Sequence, residues 1–504
     1  MDRTKEDAFK LFNLRYLPLF AVTLILGIFC VKLSYIVAAI VGIVAILSFV
    51  ALFLTKSVKW GVAVALIGVL FLGYGAATLD LYLRNQVGLS GNREITCRVI
   101  EITEGTADDE TTTYYVSADS LRTGGSSYAG GVSFETDMPL AVGDRVTLRG
   151  EISIKTLSLQ TIYSALEYRK GEKYIVGSAT IVSVEAGSPP LSHTIKSKIR
   201  ETLTSAEGDR AGAFSYAMIF GDAEYMESED KSAMREVGVA HVFAVSGLHI
   251  GVISAAILFL LRKCKVGSGA SILILLPIFG FYTYLVGFTP SVLRASIMVV
   301  IGLLAATLGQ RYDDVSALSL AAILILLGRP LYLFDISFLM SFLSIFGIQS
   351  LASPLEKAFL RKNFKGWLAA GLALSISTTV ALLPVSAVVF GRISLVGFLL
   401  NILVVPLASL AYILTLIALL PTLILPSFGA LLGAISILPL VIAELSAAVA
   451  SLGLATNYAF STAELLLYYA ILAFVGKYSL VKKKVKIVVG VSGGAILAIL
   501  ILAV

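Results

Sequence analysis

The chain has 504 residues, of which 57% are hydrophobic and 14% are charged. A soluble globular domain has about 45–50% apolar and about 25% charged residues, so this composition excludes that class and predicts a polytopic α-helical membrane protein. The net charge of +6 identifies no partner until each charge is placed on one side of the membrane. The three cysteines lie far apart in sequence, so neither a metal site, another cofactor site nor a disulfide framework is predicted.

Residues 1–84 are predicted to form the N-terminal transmembrane helices. Three apolar runs, 17–33, 35–54 and 60–83, approach the length of about 20 residues that crosses a bilayer. The N-terminal segment is basic, and Lys56 and Lys59 separate the second run from the third. The positive-inside rule therefore predicts a cytoplasmic N-terminus and places the segment after Arg84 outside.

Residues 85–190 contain no spanning run and are rich in β-branched residues. Alternating runs at 94–102, 111–121, 143–152 and 173–185 are separated by glycine-rich turns, as is typical of strands. About five strands in about 100 residues predict a small extracytoplasmic all-β barrel similar to an OB-fold, a module that often binds single-stranded nucleic acid.

The charge of this predicted barrel domain weighs against binding to phosphates. It contains nine Lys and Arg residues against fourteen Asp and Glu residues, a net charge of 9 − 14 = −5. A local cluster is still a candidate contact for single-stranded DNA, with basic side chains for phosphates and aromatic faces for bases: Arg169, Lys170, Lys173, Tyr163 and Tyr168. The alternative is that the two tyrosines belong to the barrel core or to a rim near the membrane.

Residues 191–237 are predicted to form amphipathic connecting helices. Ile195, Ile199 and Leu203 recur on one face of a helix expected over 192–226, and a short charged segment follows over 227–236. Both precede a crossing that starts outside, so we expect a collar on the outer membrane surface. A simple connector is the alternative.

The stretch 238–251, GVAHVFAVSGLHIG, opens an apolar run that is predicted to be helical from 240 to 261. On that helix Ser246 and His249 share a face, and His241 lies roughly 80° from His249. Gly247 permits the close approach of a neighbouring backbone. Polar groups at membrane depth usually face a bundle interior or a water-filled path. The alternatives are polar groups that only hold helices together, and an intramembrane serine hydrolase that uses Ser246 and a membrane histidine.

Residues 238–504 are predicted to form the main transmembrane domain. Ten further apolar runs give thirteen crossings in all, with the C-terminus outside and every dense basic loop inside. These runs are 240–261, 269–287, 290–308, 315–327, 331–352, 367–390, 395–420, 425–452, 465–475 and 487–504.

Three charged residues lie within the predicted crossings: Arg294, Asp335 and Glu444. A buried guanidinium needs a partner and is well shaped for phosphate oxygens. One hypothesis is an arginine-lined constriction for a polyanion, with the acids holding its geometry. The alternative is a structural ion pair between Arg294 and either Asp335 or Glu444.

Four stretches resemble, in order, the motifs of the ComEC-type competence proteins, which pass transforming DNA through the inner membrane of bacteria as a single strand. They are AHVFAVSGLHIG, GFTPSVLRA, RPLYLFDISFLMSFLSIFGI and GRISLVGFLLNILVVPL, and they span 238–407. The third departs from the family pattern, because Leu339-Met340 stands where Gln-Leu is usual. We refer to these stretches as motifs one to four.

The resemblance implies a channel for single-stranded DNA in the cytoplasmic membrane, with a lining drawn from residues that match the motifs: His241, Ser246, Gly247, His249, Arg294, Asp335 and Asn401. It also implies a separate DNA-receptor protein. No GxxxxGK[ST] loop is present, so a cytoplasmic ATPase or helicase is expected to supply the driving force. No HxHxDH cluster is present, so we expect this polypeptide not to be an enzyme and a nuclease to act in trans. Transport of another anionic polymer is an alternative, and no oligomeric state is predicted.

Overall fold

The computed structural model describes residues 16–32, 43, 60–86, 88–106, 112–124, 126–128, 130–155, 172–243, 247–390, 393–453 and 455–456, with short pieces of 464–472. The chain divides into two compact units. The barrel unit comprises 22–198 and 324–336, and the helical unit comprises 1–21, 199–323 and 337–504.

The N-terminal helices are α1 (Tyr16–Phe29), which continues into a 3₁₀ turn at Cys30–Lys32, and α2 (Trp60–Gln86). They touch backbone to backbone. A Cβ atom at Gly27 would lie 2.2 Å from the carbonyl oxygen of Leu70, and one at Gly73 would lie 2.7 Å from that of Leu24. Only glycine allows two helices to approach this closely, which is a common device between membrane helices.

The strands are β1 (Gly91–Thr106), β2 (Thr112–Thr123), β3 (Ser126–Ser127), β4 (Gly131–Thr136), β5 (Arg145–Ile154) and β6 (Glu172–Glu185). The sheet order is β1-β5-β6-β4-β2-β3, and pairing of β1 with β2 closes five of these strands into a barrel. The β4–β6 pair is parallel and the other pairs are antiparallel. The barrel is therefore confirmed, and the four predicted runs overlap β1, β2, β5 and β6.

The barrel core follows from the alternation in sequence. In β5, every second residue from Val146 to Ile152 points inward and is buried, while Thr147, Arg149 and Glu151 lie on the opposite face. Outside, Arg98 binds both carboxylate oxygens of Asp119 at 3.1 and 2.9 Å. Ion pairs of this kind occupy basic side chains that a nucleic acid would otherwise contact.

After residues 1–21, the helical unit resumes within α3 (Leu191–Glu207), and twelve further helices follow in the described residues. They are α4 (Asp209–Phe220), α5 (Ser228–Glu236), α6 (Gly247–Lys263), α7 (Ser268–Leu285), α8 (Pro290–Thr307), α9 (Asp314–Gly328), α10 (Ile336–Gly347), α11 (Ser353–Arg361), α12 (Gly366–Phe390), α13 (Leu395–Ile424), α14 (Gly429–Ile435) and α15 (Ile437–Ala450), of which α9 ends in the barrel unit. Short connections are 3₁₀ turns at Ala240–Phe243, Pro330–Phe334 and Pro426–Phe428, a π-turn at Ile348–Ala352, and the strand pair β7 (Ile393–Ser394) and β8 (Ala455–Thr456).

Seven stretches in the described part of the chain are long and apolar enough to cross a membrane. They are Ala65–Arg84, Ser268–Leu285, Pro290–Thr307, Ile336–Arg361, Gly366–Val389, Leu400–Ile424 and Pro426–Ala450. Two shorter apolar helices, Leu17–Phe29 and Asp314–Gly328, and the 17-residue α6 correspond to three more predicted crossings. The runs 35–54, 465–475 and 487–504 lie largely or wholly outside the described residues. The number thirteen and the orientation of the termini stay predictions.

The prediction of one helix from 240 is wrong. Residues 240–243 form a separate 3₁₀ turn after Gly238, whose φ of 74° turns the chain, and α6 begins at Gly247. His241 and His249 therefore do not share a helix, and their predicted angular relation does not apply. Ser246 and the side chain of His241 lie outside the described residues.

The prediction of one amphipathic surface helix over 192–226 is also wrong. Gly208, with a φ of 83°, breaks the helix between α3 and α4. All residues from 211 to 220 in α4 are buried, because this stretch is apolar on every face and not on one. The second predicted segment, 227–236, is confirmed as α5.

Candidate functional site

Arg294 lies in the second turn of α8, and its side chain is only 5% exposed. Its Nη1 donates a 2.6 Å hydrogen bond to the carbonyl oxygen of Ser341 in α10. Its Nε is buried and has no hydrogen-bond partner among the described residues. The guanidinium of Arg294 in motif two thus donates to a neutral backbone oxygen in motif three. Its Nε–H group still has no acceptor among the described residues.

Gly247 is the residue of motif one that makes room for this guanidinium. A Cβ atom at this position would lie 2.4 Å from Nη2 of Arg294. The start of α6 therefore packs directly against the charged group. Three motifs that are far apart in sequence meet at Arg294.

A second polar contact joins α8 to α10 one turn earlier. Ser337 Oγ donates to Ser291 Oγ at 3.2 Å, and Arg294 and Ser341 follow three and four residues later on their helices. Both contacts advance in the same chain direction, so α8 and α10 are parallel at this site. These two contacts fix the position of Arg294 along the axes of α8 and α10.

His249 is 4% exposed and lies in the first turn of α6. Its Nε2 lies 2.8 Å from the carbonyl oxygen of Met218 in α4. Since a carbonyl only accepts, Nε2 carries the proton in this bond. The ring also packs edge-on against Tyr412 of α13, with ring centroids 4.1 Å apart.

Asn401 of motif four lies on α13, and its Oδ1 is buried with no partner in the described part of the chain. Its neighbours Leu400 and Val404 belong to a core cluster with Val239, which directly precedes the 3₁₀ turn of motif one. Motif four therefore packs against motif one. A buried amide oxygen without a partner indicates a place where water or another hydrogen-bond donor can bind.

The acidic candidate Glu444 binds a residue other than Arg294. Glu444 is 68% exposed and pairs with Arg210 at 2.8 Å, so the alternative of an Arg294–Glu444 ion pair is wrong. Asp335 is 2% exposed and belongs to the barrel unit, directly before α10, a position that favours an aspartate at a helix N-terminus. In the described residues, no three His, Cys, Asp or Glu side chains are close enough to hold a metal ion.

Of the five candidates in the barrel domain, only Lys173 lies in the described residues; the others are Arg169, Lys170, Tyr163 and Tyr168. Lys173 Nζ donates to the carbonyl oxygen of Leu83 at 3.1 Å, and burial together with the charge of Arg84 lowers the pKa of Lys173. This lysine therefore already binds the end of α2.

Sequence reasoning missed the polar contacts at the N-terminal end of α4. Arg210 donates to both oxygens of the buried Asp230, at 3.0 and 2.8 Å, and to Glu444, and these bonds raise the pKa of Arg210. Nearby, Ser215 Oγ donates to Glu207 at 2.6 Å, and burial raises the pKa of Glu207 to about 7. The ten-residue apolar run after Arg210 was the available signal, because a helix that is apolar all round is normally enclosed.

The fold and the buried polar groups define a multi-pass helical membrane protein with an inserted β-barrel. Within its helical unit, a glycine and polar residues from separate segments of the chain meet. A sequence model of the Competence protein family matches residues 218–482, just over half of the chain. The chain belongs to this family.

Three relatives show the extent of the similarity. ComE operon protein 3 of Bacillus subtilis is 30% identical over 190 residues, which is 38% of this chain and 24% of that protein. Recombination protein 2 of Haemophilus influenzae is 23% identical over 278 residues, 52% of this chain and 35% of that protein. The uncharacterized protein YcaI of Escherichia coli is 29% identical over 204 residues, 38% and 26%. The matches thus span about a quarter to a third of these relatives, and no solved structure matches.

Proposed function

We propose that the chain forms a channel that carries single-stranded transforming DNA across the cytoplasmic membrane during natural competence. The observation that carries the proposal is Arg294, a buried guanidinium at membrane depth that is bound to a neutral carbonyl and keeps donors for an anion. A buried cation without a bound anion is costly, and a passing phosphate offsets that cost. Membership of the Competence family supports the same function.

The path is proposed to run past the side chains where the motifs meet, with Gly247 giving access to Arg294, and with His249 and Asn401 as further polar groups beside it. His241 and Ser246 are proposed to line it on motif one, and Asp335 to hold the start of α10. Each contact is a single hydrogen bond, weak enough to release a phosphate to the next donor.

The barrel is proposed to be an OB-like domain outside the membrane. Its parallel β4–β6 pair between two antiparallel groups supports this reading, and so does its closure by β1 and β2. The segment with Arg169, Lys170 and Tyr168 joins β5 to β6, a connection that OB-folds often use for oligonucleotides. We propose that DNA contacts are confined to this segment, because the domain is acidic elsewhere.

The proposed partners are a DNA-receptor protein outside, a cytoplasmic ATPase or helicase, and a nuclease acting in trans. The proposed topology has a cytoplasmic N-terminus and an extracytoplasmic C-terminus. The channel itself is proposed to bind and guide DNA without a catalytic step.

The test is uptake of labelled DNA in a competent strain that lacks its own channel and is complemented with this chain. Arg294→Ala is expected to lower uptake roughly 10-fold or more, the effect of losing one hydrogen bond to a charged group. Arg311→Ala is the matched control, because Arg311 is exposed just after α8. Normal uptake with Arg294→Ala, at equal amounts of protein in the membrane, would refute the assignment.

The alternative of a serine hydrolase is tested in the same strain with Ser246→Ala. A hydrolase would lose all turnover, whereas a channel keeps partial uptake. The bond from His249 Nε2 to Met218 uses that nitrogen as a donor, so a hydrolase that used this histidine would need Nδ1 as its base. Competition by another anionic polymer in the uptake assay would instead support transport of that polymer.

A further inference from the structure

Helix α4 is enclosed by protein although it is too short to cross a membrane. Its 12 residues extend about 18 Å, against a hydrocarbon thickness of about 30 Å. Residues 211–220 are all buried, and Phe214 and Ala217 are completely inaccessible. A helix with these properties is neither a span nor a surface collar.

Four helices of the helical unit contact α4. Phe214, Ala217 and Met218 share a core with Val404 and Ala408 of α13 and with residues of α15. Helices α6 and α7 each send a polar side chain to the C-terminal turn of α4. The helix therefore occupies the interior of the helical unit next to the helices of motifs one and four.

Polar contacts hold α4 mainly at its ends. His249 Nε2 donates to Met218 O, and Tyr282 Oη donates to Ile219 O, both at 2.8 Å. These carbonyls lie in the last turn, where helix carbonyls lack partners within the helix. At the other end, Arg210 binds Asp230 and Glu444.

Glycine flanks α4 on both sides. Gly208 has a φ of 83° and Gly221 a φ of 70°, backbone conformations that other residues rarely adopt. Two such positions at the ends of a short helix can absorb a change in its direction while the neighbouring helices stay in place. The helix is thus a separate body with a glycine hinge at each end, and it is held in place by apolar packing and by hydrogen bonds near its ends.

We propose that α4 is a displaceable plug that closes the membrane passage at rest and leaves its position when the passage conducts. The inference rests on the proposed function, in which a DNA strand passes His249. The ring nitrogen of His249 is occupied by α4, so a strand reaches it only after α4 has moved. The bonds of His249 and Tyr282 to the α4 carbonyls act as the latch.

The first experiment measures ion leak in the absence of DNA. The full chain is reconstituted in potassium-loaded liposomes, and potassium release is compared for the wild type, Tyr282→Phe and Tyr284→Phe. Tyr282→Phe removes only the latch hydroxyl and is expected to raise the leak about 2- to 10-fold, the effect of one hydrogen bond. Tyr284→Phe is the control, because Tyr284 is 40% exposed on the same helix. Equal leak in all three proteins would overturn the plug.

A second measurement separates plug movement from a loss of stability. Ala217→Cys is introduced after the three native cysteines have been replaced, and its reaction with a membrane-impermeant thiol reagent is followed. Faster labelling in the Tyr282→Phe background, with leak and an unchanged melting temperature, supports the plug. A lower melting temperature without leak or labelling shows a purely structural contact and overturns it.

The proposed plug and the proposed DNA passage can be refuted separately. If Arg294→Ala abolishes DNA uptake while Tyr282→Phe does not leak, the passage stands and the plug is wrong. If Tyr282→Phe leaks while Arg294→Ala takes up DNA normally, an aqueous gate exists but the proposed DNA path is wrong.

Discussion

Gly247→Ala is the smallest change that perturbs the meeting point of the motifs. The added Cβ would lie 2.4 Å from Arg294 Nη2, so the guanidinium must retreat by about 1 Å to reach an ordinary contact of about 3.5 Å. If the guanidinium moves away from Ser341 by the same distance, the 2.6 Å contact from Nη1 to Ser341 O lengthens beyond hydrogen-bond range. Losing a hydrogen bond from a charged donor costs roughly 1.5–3 kcal/mol, so we expect uptake to fall roughly 10- to 150-fold.

The matched control is Gly251→Ala, one turn further along α6, where a Cβ meets no atom within 4 Å. An alanine there is expected to stabilise the helix by about 0.5–1 kcal/mol and to leave uptake unchanged. The double variant Gly247→Ala with Arg294→Ala should take up DNA no worse than Arg294→Ala alone, because the two positions act through one contact. Equal uptake by the two glycine variants, or additive losses in the double variant, would refute the reasoning.

Three further predictions concern stability and reactivity. Burial raises the pKa of Glu207 to about 7, so the folded state binds this proton more tightly than the unfolded state. The free energy of unfolding should therefore fall by up to roughly 3 kcal/mol as pH rises from about 4.5 to above 7. Melting temperatures at pH 5 and 8 should show this loss for the wild type and for Glu201→Gln but not for Glu207→Gln. Gly347→Ala places a Cβ 2.6 Å from a backbone carbonyl oxygen of α12 and should lower the melting temperature. Gly371→Ala is the control, because the space around Gly371 is open, and it should leave the melting temperature unchanged. Equal melting temperatures for the two variants would contradict the close packing of α10 and α12. Burial raises the pKa of Cys97 to about 12, so at pH 8 only roughly one thiol in 10⁴ is ionised. Iodoacetamide should therefore label Cys97 only after the barrel is unfolded, which mass spectrometry can measure.

The parts of the fold that were predictable are those whose signal is local. Alternation along β1 and β5 predicted the barrel, since inward residues such as Val146 and Leu148 must be apolar at every second position. Hydropathy located the long spans because the apolar residues of a membrane-spanning helix are also contiguous in sequence. The start of α6 was not predictable from hydropathy, because the 3₁₀ turn at 240–243 is as apolar as the helix that follows it.

The candidate site was predictable in its members and not in its contacts. Arg294 and His249 stand out because charged and imidazole groups are rare in membrane helices. Their partners do not stand out, since both bind backbone carbonyls, of Ser341 and Met218, and every residue carries a carbonyl. Only the fold decides which carbonyl is near.

The carbonyl partner of Arg294 bears on what the passage can recognise. A carboxylate partner would neutralise the guanidinium and make a phosphate compete for it, whereas the Ser341 carbonyl orients the group and leaves its charge in place. An arginine held in this way attracts any phosphate and reads no base, because phosphate contacts carry no sequence information. The proposed channel should therefore take up strands of unrelated sequence at equal rates. Competition between labelled strands of different base composition measures this, and a strong preference for one sequence would place recognition in bases and contradict a path built around Arg294.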